Sequence, residues 1–134
     1  MGDHDLMPMA FGFADDGTVV PRDSKLILVG SPDGTESDEA EIDAFLATLV
    51  RWNGKCMYDS ITNTAWRHIP IAYILTKQDF TVPFHYQQSM VDALRSQGRE
   101  VKTVELDAGH SPNLTKTKEV VDAINDATGW KQMN

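Results

Sequence analysis

The sequence predicts an α/β fold, and three observations lead to this prediction. Residues 69–76 form an almost continuous apolar run, residues 101–107 form a second strand-like run, and a helical pattern follows each of them. Near-continuous apolar sequence is typical of a strand that is buried on both faces of a parallel sheet. The order strand–helix–strand–helix therefore predicts a βαβα unit with two parallel strands and a right-handed crossover.

The chain divides into two regions, residues 1–66 and residues 67–134, and the first is predicted to be irregular apart from one helix. Residues 1–22 show no sustained period, and residues 25–29 fit either a short strand or a helical turn. Ser37 is a suitable N-cap, and the acidic residues after it favour a helix start. The helix is expected to stop at Asn53. Its apolar face comprises Ile42, Phe45, Leu46 and Leu49.

The second region supplies the βαβα unit. After the strand that ends near Leu75, Thr81 and Pro83 are typical of a helix start, and Gly98 is typical of a helix end. A strand over residues 101–106 follows, and a last helix begins between residues 111 and 117 and ends at Gly129. The residues expected to face inward are Tyr86, Met90, Val91 and Leu94 in the first helix, and Val120, Val121 and Ile124 in the second.

Composition excludes several classes of protein. The 134 residues include 41% hydrophobic and 24% charged residues, which is ordinary for a globular domain. The net charge of −8, from 20 acidic and 12 basic residues, argues against nucleic-acid binding. Cys56 is the single cysteine, so an internal disulfide is impossible. Residues 1–6 lack the basic and apolar pattern of a signal peptide, and no apolar run is long enough to span a bilayer, so we expect a cytoplasmic protein that does not bind membranes.

No metal or cofactor site is expected from the sequence. His4, His68 and His85 lack the spacing to cysteine or acidic residues that metal ligands show. Neither G-x-G-x-x-G nor the P-loop pattern occurs, so no phosphate-binding loop is predicted.

Two polar residues follow the two predicted strands and form the candidate catalytic pair. Asp79 lies about three residues after the first strand, and His110 lies about three residues after the second. Loops at the carboxyl ends of parallel strands share one edge of the sheet, which is where ligands bind in such folds. A carboxylate beside an imidazole fixes its tautomer and stabilises the imidazolium, as a Ser-His-Asp system requires. As single residues, a turn or capping role for Asp79 and a plain loop role for His110 are the simpler readings.

The residues around this pair resemble one family. The stretches Ala65–Pro70, Lys77–Pro83 and Leu106–Pro112 look like the C-terminal part of an α/β-hydrolase, and the similar branch contains small esterases and hydroxynitrile lyases, especially fungal hydrolase-domain proteins. The resemblance is good over residues 50–127. Residues 18–50 are similar more loosely and match the cap over the active site. The resemblance implies a partial α/β-hydrolase fold, Asp79 as the triad acid, His110 as the triad base and a small ester-like substrate.

Large aromatic residues are candidates for the substrate pocket. Trp52, Trp66, Phe80 and Tyr86 would suit a pocket beneath the cap, although packing roles are the simpler reading for each. Phe80 is favoured because it adjoins Asp79, and Trp66 is the second candidate.

The nucleophile of the family is missing from this sequence. In the family it lies in a G-x-S-x-G turn before the cap. None of the seven serines has glycine at both the −2 and +2 positions, and Cys56 has Gly54 but then Tyr58. Removing the nucleophile of such a triad costs on the order of 10⁶ in turnover.

Two readings therefore remain open. The chain is either the C-terminal portion of a truncated or split hydrolase, or a non-catalytic relative that pairs with a second copy. A two-stranded unit leaves a sheet edge exposed, and this edge would allow a homodimer. A weaker third reading is that Asp79 and His110 act as a dyad on water or on an activated substrate.

Overall fold

The computed structural model describes residues 7–30 and 38–129. The strands are β1 (Phe11–Phe13), β2 (Thr18–Pro21), β3 (Trp52–Asn53), β4 (Ile71–Thr76) and β5 (Val101–Leu106). The α-helices are α1 (Met7–Ala10), α2 (Glu39–Ala47), α3 (Phe84–Ser96), α4 (Pro112–Thr115) and α5 (Thr117–Thr128). A π-helical turn covers Lys25–Val29, and 3-10 turns cover Gly54–Met57 and Ala65–Arg67. None of the helices in the described ranges is long and apolar enough to cross a lipid bilayer.

The parallel sheet confirms the predicted α/β class. β4 and β5 pair in parallel, with Ile71 opposite Val101 and Thr76 opposite Leu106. α3 connects them and covers one face of the sheet, where Leu75, Val91 and Val101 form a small buried cluster. Burial of apolar side chains between a helix and a sheet is the main force that holds such a unit together.

The prediction that β4 is buried on both faces is wrong. On the face opposite α3, Ala72 is exposed, Ile74 is half-buried and Val104 is 37% exposed. α5 lies on this side, where its C-terminal end and the sheet enclose a cavity of about 870 Å³. A single helix covers only part of a sheet face, so the apolar residues next to it remain open to solvent. Val121 and Ile124 of α5 are 45% and 52% exposed, so the prediction that they face inward is wrong.

Helix α3 differs from its prediction in two respects. It begins at Phe84, and Pro83 occupies the N-cap position, so the start is later than the Thr81 signal indicated. Tyr86 and Met90 are 43% and 47% exposed, which makes their predicted inward placement wrong. The prediction for Val91, which is buried, and Leu94, which packs against the core, is confirmed. The remaining inward positions belong to Phe84 and to a buried glutamine, Gln87.

The description of residues 1–66 as irregular missed a second sheet. β1, β2 and β3 form an antiparallel sheet in that order, with Phe11 opposite Pro21 and Val19 opposite Trp52. Val19 is completely buried, and the rings of Phe11 and Trp52 meet edge to face at 5.9 Å. Strands of two to four residues are too short to show an alternating pattern, which explains why the sequence did not reveal them.

Helix α2 is shorter than predicted. Ser37 lies outside the described residues, and the N-cap in the structure is Asp38, whose Oδ1 accepts a hydrogen bond from Glu41 N at 2.8 Å. Ile42 is buried as predicted. The helix ends at Ala47, well before Asn53, because the chain there pairs with β2 as strand β3. The boundary at residues 66 and 67 stays a prediction.

Candidate active site

The parallel register brings the two predicted residues to one edge of the sheet. Thr76 and Leu106 are the paired last residues of β4 and β5. Asp79 follows β4 by three positions, and His110 follows β5 by four. The two loops remain connected by backbone hydrogen bonds just beyond the strands, at 2.9 and 3.0 Å. The loops therefore leave the sheet side by side, although Asp79 and His110 are far apart in sequence.

Asp79 and His110 are joined by a hydrogen bond. The distance from His110 Nδ1 to Asp79 Oδ2 is 2.9 Å. The Asp79 side chain is only 5% exposed, whereas the His110 side chain is 36% exposed. With its hydrogen on Nδ1, the imidazole carries a lone pair on Nε2, the atom that a general base uses. Nε2 makes no hydrogen bond to any residue within 7–30 and 38–129.

The carboxylate of Asp79 is held from several directions. Its Oδ1 accepts hydrogen bonds from the backbone N–H groups of Thr81 and Val82, both at 2.8 Å. Its Oδ2 accepts the Thr76 hydroxyl at 3.1 Å. Burial raises the pKa of Asp79, but the hydrogen bonds from His110 and from the Val82 and Thr81 N–H groups outweigh burial and lower this pKa below its ordinary value of 3.8. Asp79 is therefore an ionised acceptor at neutral pH.

The π-helical turn at Lys25–Val29 braces both loops. The loop between β4 and α3, residues 77–83, carries Asp79 and is called the acid loop here. The Thr81 hydroxyl donates to Ile27 O at 2.8 Å, which ties the acid loop to the turn. On the other loop, Gly109 lies against the Val29 carbonyl, and a Cβ at Gly109 would be 2.1 Å from that oxygen. Only glycine permits this approach. The role of Gly109 is therefore close packing against the turn directly before His110.

An apolar cavity opens onto His110. It has a volume of about 610 Å³ and lies between the antiparallel sheet, α2 and the loop of His110. Its lining is mostly aromatic and aliphatic: Phe11, Pro21, Leu28, Phe45, Leu49, Val50, Trp52 and Met57. Thr81, His110 and Ser111 contribute the polar part next to Asp79. Apolar walls with a few polar groups at one end are typical of small-molecule sites.

A comparison with protein-family models decides the family. The model described as "Alpha/beta hydrolase family" matches residues 3–123. The chain belongs to the alpha/beta hydrolase family. The resemblance of the residues around Asp79 and His110 is thereby confirmed at the level of this family.

A curated relative is consistent with this assignment. The chain is 30% identical over 82 residues to "Probable hydrolase R7" from Phoma sp. (strain ATCC 20986 / MF5453). The match covers 60% of this alpha/beta hydrolase chain but only 34% of the relative. The chain thus spans about a third of the length of the relative that it matches.

The two aromatic residues predicted to bind substrate, Phe80 and Trp66, do not line the 610 Å³ apolar cavity beside His110. Phe80 is 59% exposed, and its ring is outside the lining of the 610 Å³ cavity. Trp66 is half-buried and stacks on the guanidinium of Arg67, 4.4 Å from the ring centroid. Among the aromatic candidates considered, Trp52 is the one that lines the cavity. Adjacency to Asp79 in sequence does not bring Phe80 to this cavity, because consecutive loop residues point in different directions. The substrate-binding role of Phe80 and Trp66 stays a prediction.

A smaller recess lies on the other side of the pair. It has a volume of about 330 Å³ and is lined by Asp79, His110, Thr76 and residues of β4, including Ala72 and Ile74. It follows the edge of β4 that has no neighbouring strand among the described residues. Ser111, directly after His110, is 7% exposed, and it has Gly109 at the −2 position but Asn113 instead of glycine at the +2 position of a G-x-S-x-G turn. No cluster of three or more potential metal ligands occurs in the part of the chain that the structure describes.

Two residues that organise the site, Thr76 and Gln87, are not among the predicted site residues. Thr76 donates to Asp79, and Gln87 contacts both Thr76 and the acid loop. A signal for Gln87 does exist: it is a polar residue at the position where the apolar face of α3, between Phe84 and Val91, should continue.

Proposed function

We propose that this chain carries the acid and base of an alpha/beta hydrolase that cleaves small esters by a Ser-His-Asp mechanism. The observation that carries the proposal is the 2.9 Å hydrogen bond between buried Asp79 and half-exposed His110, with Nε2 left unpaired by the described residues. In this proposal the nucleophile belongs to a polypeptide segment outside the present sequence, since no G-x-S-x-G turn occurs in it.

Each residue has a defined task in this mechanism. The nucleophile hydroxyl transfers its proton to His110 Nε2 while its oxygen bonds to the ester carbonyl carbon. Asp79 stabilises the resulting imidazolium through Nδ1. When the tetrahedral intermediate collapses, His110 returns the proton to the departing alcohol oxygen. Water then repeats the sequence on the acyl-enzyme and releases the acid.

The 610 Å³ cavity supports an ester with an apolar group as the substrate class. Its aromatic and aliphatic walls favour a short hydrocarbon or aromatic substituent, and the polar end lies at His110. The recess along β4 supports the position of the nucleophile. It places open space beside His110 on the side of the unpaired strand edge, where a further strand would bring its terminal loop next to Nε2.

The test uses two proteins, the 134-residue chain alone and the chain extended by the in-frame coding sequence upstream of Met1. We expect the extended protein to contain a G-x-S-x-G turn and to hydrolyse p-nitrophenyl esters, with the short chain at background. In the extended protein, His110→Ala should lower kcat on the order of 10⁶-fold. The exposed His68 supplies the matched control, and His68→Ala should leave kcat unchanged. An upstream region without the turn, or activity that survives His110→Ala, contradicts the proposal.

A second candidate function is a non-catalytic module that forms a homodimer through β4. The exposed Ala72 and the half-buried Ile74 on β4, and the 37% exposed Val104 on the same open face of β5, favour it. Unpaired strands bind one another through their free N–H and C=O groups. Sedimentation velocity over a range of concentrations tests this alternative, and a monomer throughout that range contradicts it.

A further inference from the structure

Gln87 is a polar side chain in the core between α3 and the parallel sheet. It is 2% exposed, on the helix face that also presents Val91 to the sheet. A buried amide that lost its hydrogen bonds would destabilise the fold. Every polar atom of this side chain has a partner, and those partners belong to the chain segment that carries Asp79.

The amide group of Gln87 takes the place of a neighbouring strand at the end of β4. Its Oε1 accepts the backbone N–H of Thr76 at 2.8 Å, and its Nε2 donates to Thr76 O at 3.0 Å. The next residue, Lys77, bonds toward β5. Because the backbone groups of successive strand residues point in opposite directions, those of Thr76 point to the unpaired edge. Gln87 therefore closes that edge at its last residue and leaves it open at Ala72 and Ile74.

The same amide also holds the far end of the acid loop. Gln87 Nε2 donates to Val82 O at 2.7 Å, while the N–H of Val82 donates to Asp79 Oδ1 at 2.8 Å. The two hydrogens of Nε2 are shared among Val82 O at 2.7 Å and the backbone oxygen and hydroxyl oxygen of Thr76, both at 3.0 Å. The Thr76 hydroxyl is then free to donate to Asp79 Oδ2, which also lies 3.4 Å from Nε2. One side chain thus connects the residue before the loop, Thr76, with the residue that closes it, Val82.

We propose that Gln87 is a positioning residue that fixes the acid loop and so sets the orientation of Asp79 toward His110. The consequence for catalysis rests on the proposed hydrolase function, but the positioning itself is a property of this chain. A purely structural role for Gln87 would affect folding alone. A positioning role also changes how the carboxyl of Asp79 titrates and whether the His110 Nδ1–H proton remains hydrogen-bonded.

The first test is made on the unmodified chain. The side-chain NH₂ protons of Gln87 should exchange with solvent at least about tenfold more slowly than those of Gln88, which is exposed on the same helix. NMR spectroscopy measures both groups in one sample. Equal exchange rates would mean that the amide does not hold the loop, and the inference would be wrong.

The second test uses Gln87→Glu and Gln87→Met, with Gln88→Glu and Gln88→Met as matched controls. Gln87→Glu places a second carboxylate beside Asp79, and Gln87→Met removes the bond to Val82, so the pKa of Asp79 should rise in both. Carbon-13 NMR of the carboxyl group follows this titration. The downfield signal of His110 Nδ1–H should be lost, whereas the Gln88 controls should leave both readouts unchanged.

Folded Gln87 variants with an unaltered Asp79 titration and an unaltered His110 signal overturn the inference. If both variants fail to fold, the exchange rates of the unmodified chain decide. These readouts need no substrate and no nucleophile. A failed hydrolase assay with altered Asp79 titration would therefore disprove the proposed function and leave the role of Gln87 standing.

Discussion

The two regions that meet at His110 are built from different kinds of interior. The βαβα region contains all the buried polar side chains of the described residues, namely Thr76, Asp79, Gln87, Ser111 and Thr115. The region before it buries apolar groups alone, such as Phe11, Val19 and Ile42, and surrounds a large apolar cavity. One region fixes the position of a charge, and the other shapes an apolar space next to that charge.

Beside the charged pair, the regions meet at backbone atoms of the Lys25–Val29 turn. The turn at Lys25–Val29 accepts the Thr81 hydroxyl and lies against Gly109. The loops of Asp79 and His110 are thus held by the sheet on one side and by this turn on the other. This arrangement lets the cavity walls vary without moving the charged pair, and the following predictions test that independence.

The largest difference is expected for equivalent leucine truncations in the two regions. Leu75 is 5% exposed in the cluster beneath α3, and Leu75→Ala should lower the free energy of unfolding by about 3 kcal/mol. Leu49 is half-buried and lines the existing cavity, so Leu49→Ala should cost less than about 1 kcal/mol. Urea denaturation measures both. Equal losses would show that the two interiors are packed alike.

A methyl group at the contact should be the next most damaging change. Gly109→Ala brings a Cβ to 2.1 Å from the Val29 carbonyl, so either the turn or the loop of His110 must move. We expect a loss of about 2 kcal/mol in unfolding free energy. Gly12 is the control, because a Cβ there meets nothing closer than 3.8 Å. If Gly109→Ala is as stable as Gly12→Ala, the turn does not brace the loop.

The two regions also differ in how far the sequence could predict them. The long apolar run of β4 and the turns after both strands were enough to predict the parallel pair, and with it the proximity of Asp79 and His110. Those features depend on periodicity and on chain direction, which a sequence records. β1, β2 and β3 are too short to carry a period, and they exist because Phe11, Val19 and Trp52 pack together across the fold.

The positions of individual site residues were less predictable. Phe80 was chosen for its adjacency to Asp79, but direction within a loop depends on its hydrogen bonds, and the ring is 59% exposed. Apolar periodicity cannot reveal Gln87, because by that criterion a buried amide is indistinguishable from a surface residue. The backbone N–H and C=O of Thr76 need this amide because they have no strand partner among the described residues. That requirement follows from the arrangement of the strands in the sheet, which the sequence does not record.

A smaller effect is expected when the charge of Asp79 is removed. The pKa of Asp79 is below 3.8 in the folded chain. Its ionisation therefore contributes stability that is fully present above about pH 4 and is lost as the pH falls through the folded pKa. Asp79→Asn should lower the unfolding free energy by about 1 kcal/mol at pH 7 and make it less sensitive to acid. Urea denaturation at pH 7 and at pH 3 measures this difference, with exposed Asp126→Asn as the control. An unchanged acid sensitivity in Asp79→Asn would contradict the assignment of the lowered pKa.

The smallest change is expected when the cavity is filled without touching the charged pair. Leu49→Trp adds an aromatic ring to the apolar wall, and the affinity for the fluorescent probe 1-anilinonaphthalene-8-sulfonate should fall about threefold, or about 0.7 kcal/mol. Leu26→Trp, at a residue that is 49% exposed and outside the cavity lining, should not alter binding. Asp79→Asn should also leave probe binding unchanged, because the apolar part of the cavity wall is built by the other region and Asp79 does not line the cavity. If Asp79→Asn weakens binding as much as Leu49→Trp does, then the apolar space depends on the charge, and the two regions do not act independently.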